Sequence, residues 1–543
     1  MSITGKPVPI QGPATATATA TADEITPAPT ANAITDKATT FLQAHAQTDT
    51  SFTYEEERHV LRRIDTRILP LLLGAYFFQQ LDKSSLSYVS IFGITEDAKL
   101  VGQQYSWLGS ILYIAQLVMQ PLAAFILVKF PNGKVIATAI FLWGSSQAIM
   151  AACTNFQSLL GLRFMLGSFE AMIAPSCIAV TQMWWRRSEQ TLRTSYWNAM
   201  NGITAIVGSL FTYGLGHIES EVMFKYQIIF LFCGLLTVVY AVVVLTFMPD
   251  SPMEAKYLTE REKVIAVERL RANQMGVSSG KWRWDHVWES LLDLKTWCWF
   301  VIIVAISGGI GTFGSLIVKS FGYTKFEAIL FNIPFGAIQF IVIIASGWVA
   351  TRFKHKGLTI AGVCVLPIVG TIIMLTVPRE QKGVLLFGYY LVSCMAAITP
   401  LIYAWQAQNT GGDTKKKCTS GMVFIGMCTG NIIGPLLYSV DHAPLYRPGL
   451  ISNLIMLVLV AALAILIPFY LMFLNRRHAK RREELGKNAV LVDESMIGKG
   501  QMESGKAAEL EDGGTNTKPK ALEEDNALRD MTDVKNEDFI YVY

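Results

Sequence analysis

Between residues 68 and 474 the chain alternates long apolar stretches with short polar connections. A helix of about 20 residues crosses the ~30 Å hydrocarbon core of a bilayer, and in lipid only helices and closed barrels satisfy every backbone polar group. The stretches run over 68–91, 104–127, 135–152, 157–182, 195–217, 227–248, 296–318, 328–350, 358–377, 384–408, 418–440 and 450–474, twelve in all. Composition agrees, since 52% of the 543 residues are hydrophobic and 16% charged, against roughly 25% charged in soluble domains. The expectation is an all-α membrane protein with twelve transmembrane helices, embedded in a lipid bilayer.

The longest polar interruption, 249–295, separates two groups of six stretches of nearly equal length. VKFPNGK at 128–134 and TRFKHKG at 351–357 occupy corresponding places in the two groups, each combining bases with a glycine. Parallel halves built from inverted repeats place a solute site near the midplane between them. The chain divides accordingly into an N-terminal tail (1–58), an N-terminal half (59–248), a central loop (249–295), a C-terminal half (296–474) and an acidic C-terminal tail (475–543).

Lys and Arg are retained on the cytoplasmic side of membrane proteins. With the start of the chain inside, the inner loops hold Lys129, Lys134, Arg186, Arg187, Arg193, the basic central loop, Arg352, Lys354, Lys356 and Lys415 to Lys417, and the outer loops hold fewer bases. Both termini are therefore expected in the cytoplasm. The tail 1–58 contains an alternating Ala-Thr run and several prolines, a composition expected to be disordered. It has neither the apolar core of a secretory signal nor the arginines of a mitochondrial presequence. The C-terminal tail reads as a solvated acidic segment, with a docking or turnover signal as the alternative.

The net charge of +4 is small and its bases lie in short loops, which argues against a nucleic-acid partner. No P-loop, HExxH or GxSxG pattern is present, so neither ATP-driven transport nor hydrolysis has a supporting motif and no enzyme activity is expected. No cofactor or metal site is expected either, and the cysteines read as core thiols. The protein is expected to be a monomer.

Four charged residues fall inside the apolar stretches, Asp82 and Lys83 in the first and Arg163 and Glu170 in the fourth. An ionisable group at membrane depth costs roughly 2.5 to 3.5 kcal/mol on insertion scales and tends to be paired and functional. Arg163 and Glu170 are seven apart, roughly 10.5 Å along one helix face. Counting from Arg67, Asp82 lies roughly 22 Å into the first helix; counting from Gln157, Arg163 lies roughly 9 Å into the fourth. Asp82 and Arg163 should thus share one depth, with Glu170 nearer the middle, where low dielectric favours a neutral carboxyl and makes proton uptake feasible.

The segment 163–193, RFMLGSFEAMIAPSCIAVTQMWWRRSEQTLR, resembles the fourth helix and following loop of the anion:cation symporter family of the major facilitator superfamily. QYSWLGSILYIAQLVMQP (104–121), MPDSPMEAKYLTEREK (248–263), TFGSLIVKSFGY (312–323) and DMTDVKNEDFIYVY (530–543) resemble its fungal allantoate-permease-like branch. The resemblance runs from about Asp65 to the C terminus. Two departures stand out: Lys83 occupies a position that is often Arg in the family, and Thr351 replaces the usual acid of the second-half loop motif.

The resemblance implies secondary active transport of a small organic anion, of the allantoate, nicotinate, other vitamin or carboxylate class, usually coupled to protons. It carries over Asp82, Lys83, Arg163 and Glu170. In the resulting scheme Glu170 is the principal proton carrier, Asp82 a second carboxylate that captures or releases Arg163, and Lys83 the cation that receives the substrate carboxylate. The alternative for these four residues is two static ion pairs fixing the first helix against the fourth. Alternative functions are export or intracellular transport of an organic acid by the same fold, and a nontransporting nutrient sensor.

The apolar stretches of the second half carry no charge, which leaves selectivity there to neutral groups. Gln339, Gln406 and Asn431 are the candidate substrate-binding amides, Asn431 within GNIIGP, because an amide in hydrocarbon requires a partner. Tyr389, Tyr390 and Trp405 are weaker aromatic candidates. Gly208, Gly214 and Gly216 read as helix-packing positions. Trp107, Trp184, Trp185 and Trp197 are expected at membrane interfaces, and His217 and His442 at the surface.

Overall fold

The structure is a computed structural model. It describes residues 37–45, 52–91, 94–218, 222–271, 273, 275, 279–307, 330–378, 380–436, 447–488, 493–496 and 530–543. Most of the N-terminal tail, the TFGSLIVKSFGY segment and His442 lie outside the described residues.

Within the described residues, each expected apolar stretch coincides with a helix or a broken pair of helices. A short α1 (Lys37–Ala44) precedes α2 (Tyr54–Ile91), α3 (Gln104–Lys129), α4 (Asn132–Ile149), the pair α5 (Phe156–Glu170) and α6 (Ile173–Trp184), α7 (Arg187–Gly216) and α8 (Lys225–Phe247). The central connection forms α9 (Glu260–Arg271) and α10 (Trp284–Leu292). The second half contains α11 (Leu294–Ile306), α12 (Asn332–Phe353), α13 (Lys356–Thr376), the pair α14 (Lys382–Ser393) and α15 (Ile398–Gln408), α16 (Asp413–Leu436) and α17 (Arg447–Glu484). By length and composition, eight of these spans are apolar enough to cross a membrane. α2, α7 and α16 carry more polar residues, and α11 covers only the described part of the 296–318 stretch.

The two broken pairs occupy corresponding places in the two halves and share a cause. Proline has no N–H for the carbonyl four residues back, and its ring crowds that carbonyl. Pro175 withholds its bond from Ala171, and α5 gives way to α6 between Glu170 and Ile173. Pro400 withholds its bond from Ala396, inside the 3-10 turn Cys394–Ala397 that separates α14 from α15.

The halves meet along α7 with α12 and α3 with α16. At the first contact a Cβ on Gly202 would lie 2.3 Å from the Gly336 carbonyl oxygen, so the two backbones touch where only glycine fits. Lipid-facing positions such as Leu235, Val239 and Val242 of α8 are exposed and apolar, as a helix in hydrocarbon requires.

One face gathers the start of α2, the central connection and the end of α17, and is called the tail face below. The segments read as loop and tails carry structure there. Leu42 of α1 packs against Val264 and Val267 of α9, so the expectation of disorder over 1–58 fails at residues 37–45, and α2 starts four residues before that boundary. The central connection is a folded layer: buried Arg269 bonds Glu189 at 2.6 Å and Glu57 at 3.4 Å, and Arg63 bonds Glu262 at 2.6 Å. Residues 530–543 of the acidic tail are largely buried rather than solvated. Trp184, Trp185 and Trp197, expected at interfaces, are fully buried, whereas Trp107 is exposed. Trp185 donates to Asp65 at 2.8 Å, so its indole serves packing between α2 and the α6–α7 junction.

Candidate functional site

The break after Glu170 organises the site. Deprived of the Pro175 bond, the Ala171 carbonyl accepts instead from Gln120 Nε2 of α3 at 3.2 Å. This amide substitutes for the missing backbone donor and fixes α3 beside the junction. Gly167 lies one turn earlier on the face that carries Arg163 and Glu170. A Cβ there would stand 2.5 Å from the Leu112 carbonyl oxygen, so glycine permits α3 to approach the site at backbone distance.

Glu170, at 2% exposure, forms an ion pair with Lys83 of α2, Oε1 to Nζ 3.4 Å. The Lys83 ammonium also lies 5.3 Å from the centroid of the Tyr113 ring on α3, a geometry that attracts a cation to the ring face. Gln79 of α2 is buried near the carboxylate, and its Oε1 has no hydrogen-bond partner. From the other half, Cys428 of α16 donates its thiol to Gln116 Oε1 at 3.7 Å. The pair thus sits on α2 and α5, beside the α3–α16 contact between halves.

Asp82 is adjacent to Lys83 in sequence and turned elsewhere. Consecutive helical residues diverge by about 100° and do not face one another. Asp82 Oδ2 accepts from Trp143 Nε1 of α4 at 2.8 Å and from Thr237 Oγ1 of α8 at 2.8 Å. Ser85, one turn on, accepts from Gln147 Nε2 at 2.8 Å. Asp82 therefore belongs to a polar seam inside the N-terminal half, joining α2 to α4 and α8.

Arg163 also departs from its expected place. No ion pair joins it to Asp82 among the described residues. Its guanidinium lies 5.6 Å from the centroid of the Phe230 ring of α8, and Nη2 has no hydrogen-bond partner. The capture of Arg163 by Asp82 is not the arrangement in this structure, because each turns to a different neighbour. Instead the structure joins Lys83 to Glu170, a pairing hidden by the distance between α2 and α5 in the sequence.

The three amide candidates are dispersed. Gln406 is fully buried and donates to Ser420 Oγ of α16 at 3.0 Å, tying α15 to α16. Asn431 returns its amide to the Met427 carbonyl of its own helix at 2.8 Å. Gln339 is half-buried on α12. Missed by the sequence reading were Tyr113, Gln116 and Gln120 of α3, although their spacing of three or four residues marks one helix face. No group of His, Cys, Asp and Glu placed to hold a metal occurs among the described residues, and the eight cysteines are free thiols.

α16 extends the 418–440 stretch at its start, and the charges it adds lie outside that stretch. α16 starts at Asp413, and Lys415, Lys416 and Lys417 are buried within it. Lys415 contacts Glu289 at 2.9 Å, Asp293 at 2.9 Å and Asp533 at 3.0 Å. This second ionic cluster lies on the tail face rather than between the halves at mid-membrane.

Two helical halves with paired broken helices, and a charge pair beside their contact, fit a multi-pass membrane transporter. The chain belongs to the Major Facilitator Superfamily, whose family model matches residues 72–435. It is 36% identical over 436 residues to an uncharacterized transporter of Schizosaccharomyces pombe, covering 80% of this chain and 83% of that one. Similarity extends to the Thiamine pathway transporter THI73 of Saccharomyces cerevisiae, at 33% identity with 79% of this chain and 83% of that one covered. The Allantoate permease of the same yeast is 28% identical, with 82% and 84% covered. Among solved structures, the proton:xylose symporter XylE superposes with a TM-score of 0.58 at 12% identity, covering 76% of this chain and 95% of that one. At that identity the likeness concerns the fold alone.

Proposed function

We propose that the chain is a proton-coupled carrier that brings a small organic anion across the plasma membrane, with the tail face toward the cytoplasm. The observation that carries this reading is the pairing of buried Glu170 with half-buried Lys83 beside the contact between halves. A carboxylate and an ammonium at that depth are each expensive alone. Protonation of Glu170 removes the partner of Lys83, and the carboxylate of an incoming solute replaces it. Proton and anion therefore favour the same loaded state, and transport follows if their combined binding differs between the two openings.

In this scheme Tyr113 steadies the Lys83 ammonium. Arg163, with one guanidinium nitrogen lacking a hydrogen-bond partner, offers a second positive group to the solute. Asp82 keeps α2 in register with α4 and α8 so that Lys83 faces α5. Gln339, Gln406 and Asn431 contribute shape and secondary polarity from the second half. The resemblance to Allantoate permease favours a ureido or carboxylate solute.

Glu170→Gln tests the proposal in a transporter-deleted host, with labelled allantoate and nicotinate supplied at several external pH values. Retained exchange with loss of proton-driven accumulation is the expected outcome. Unchanged accumulation overturns the assignment of Glu170.

A further inference from the structure

Residues 530–543 occupy a site whose partners come from both halves. Asp533 is fully buried, and both of its carboxylate oxygens are satisfied. Oδ1 accepts from Lys415 at 3.0 Å and from the Gly411 N–H at 3.1 Å. Oδ2 accepts from Lys295 at 2.7 Å and from the Tyr541 hydroxyl at 3.0 Å.

The last residues pair as a strand would, although their partners are side chains. Asn409 accepts from the Val542 N–H at 2.8 Å and donates to its carbonyl at 2.8 Å. Asn475 of α17 does the same with Tyr541, at 2.7 Å and 2.8 Å. Two amide side chains reading both backbone groups of adjacent residues constitute a peptide-recognition arrangement, because main-chain bonds supply affinity and pockets supply selectivity. The aromatic anchors Phe539 and Tyr541 are buried beside them.

Asn409, Asn475, Lys295 and Lys415 belong to the second half, whereas Arg187, at the start of α7, belongs to the first. Arg187 Nη2 donates to the Ile540 carbonyl at 2.7 Å and to the Gln408 carbonyl at 2.6 Å, and its guanidinium lies 4.8 Å from the centroid of the Phe539 ring. The peptide therefore bridges the halves at the face where they already touch through Gln182 and the Ala407 carbonyl, 2.7 Å apart.

We propose that the tail face contains a receptor site for the chain's own carboxy-terminal peptide, residues 530–543, and that its docking clamps the two halves together there. Release of the peptide would then precede or accompany opening on that face. The inference rests on the reading of the chain as a transporter that opens there, and is independent of the substrate and of proton coupling.

The test is hydrogen exchange on the full chain in lipid nanodiscs. In the wild type the Tyr541 and Val542 amides should exchange on the order of 100-fold more slowly than in the free peptide, reflecting paired buried amides. Exchange at the free-peptide rate overturns docking. Asp533→Ala and, separately, Asn409→Ala should each lose at least about tenfold of that protection and should speed exchange over 404–410 and 182–193, while α4 around Trp143 stays unchanged. Tail release with no change over 404–410 and 182–193 overturns the clamp. Synthetic peptide 530–543 added in excess to the Asp533→Ala chain should restore protection over 404–410, and a scrambled peptide should not; equal effects of the two overturn specific recognition. These readouts need no transported solute, so failure of the transport proposal leaves them legible.

Discussion

The two ionic clusters of this molecule are built from the same residue types and differ in saturation. At the contact between α2 and α5, Lys83 and Glu170 share one ion pair at 3.4 Å, with Gln79 Oε1, Gln120 Oε1 and Arg163 Nη2 nearby lacking hydrogen-bond partners. At the tail face, Asp533 alone receives four donors, and Lys415 touches three carboxylates. A buried polar atom without a partner costs about 1–3 kcal/mol, so the first cluster stands to gain from an arriving ligand, whereas the charged groups of the second neutralise one another. Under-satisfaction suits a transport site, and saturation suits a joint that must hold until actively released.

The largest effect is expected where the sparse cluster is broken. Removing one partner of a buried pair leaves an uncompensated charge worth about 3–5 kcal/mol, so Lys83→Ala should abolish accumulating uptake. Lys83→Arg should retain part of it. Equal loss in both variants, in cells with matched surface expression, would assign Lys83 a purely structural role.

Next comes packing around that cluster. Gly167→Ala places a methyl 2.5 Å from the Leu112 carbonyl oxygen, and overpacking of this kind costs about 1–3 kcal/mol. A lowered thermal midpoint in detergent, together with reduced uptake, is expected. An unaltered midpoint would mean that α3 yields at no cost.

A smaller change separates Asp82 from Glu170. Asp82→Asn preserves an oxygen acceptor for Trp143 and Thr237, so stability should change by less than about 1 kcal/mol and uptake by less than threefold, whereas Asp82→Ala should lower both. Loss of proton coupling in Asp82→Asn alone would return Asp82 to the proton pathway.

The weakest response concerns acidity at the saturated cluster. Burial by itself would raise the Asp533 carboxyl, but Lys295 and Lys415 outweigh burial and hold it well below the usual carboxylate range. A depressed value contributes stability above the ordinary Asp range and loses it only as pH falls through the lowered value. The Asp533 contribution to tail protection in hydrogen exchange should therefore be constant between about pH 5 and about pH 8, where other titratable residues touching the peptide include Lys356, whose backbone N–H donates to the Tyr543 carbonyl, and His478, whose Nδ1 lies 3.0 Å from the Phe539 carbonyl. A clear loss of protection within that range would show that a different group controls docking.

Much of the architecture was legible without coordinates. Apolar stretches of membrane length identify their helices because backbone polar groups in lipid have few alternatives, and the long interruption at 249–295 divides the halves. The charges at Asp82, Lys83, Arg163 and Glu170 were visible because hydrocarbon makes each one anomalous. Even the divergence of Asp82 and Lys83, about 100° around the helix, follows from helical geometry, although a shared depth by itself suggests Arg163 as the partner of Asp82. The break after Glu170 was equally implicit in Pro175.

Partnership across the fold was not legible. Nothing in the order of residues says that Lys83 meets Glu170, that Asp82 turns to Trp143 and Thr237, or that Gln120 supplies the bond that Pro175 withholds. Lys415 in a basic run and Asp533 in an acidic tail each read as solvated when taken separately. Local physics, the hydropathy of a stretch and the geometry of a helix, is written in neighbouring residues and is decided by the sequence itself. Which charges neutralise one another depends on contacts between segments far apart in the sequence, and only the packed tertiary structure decides those.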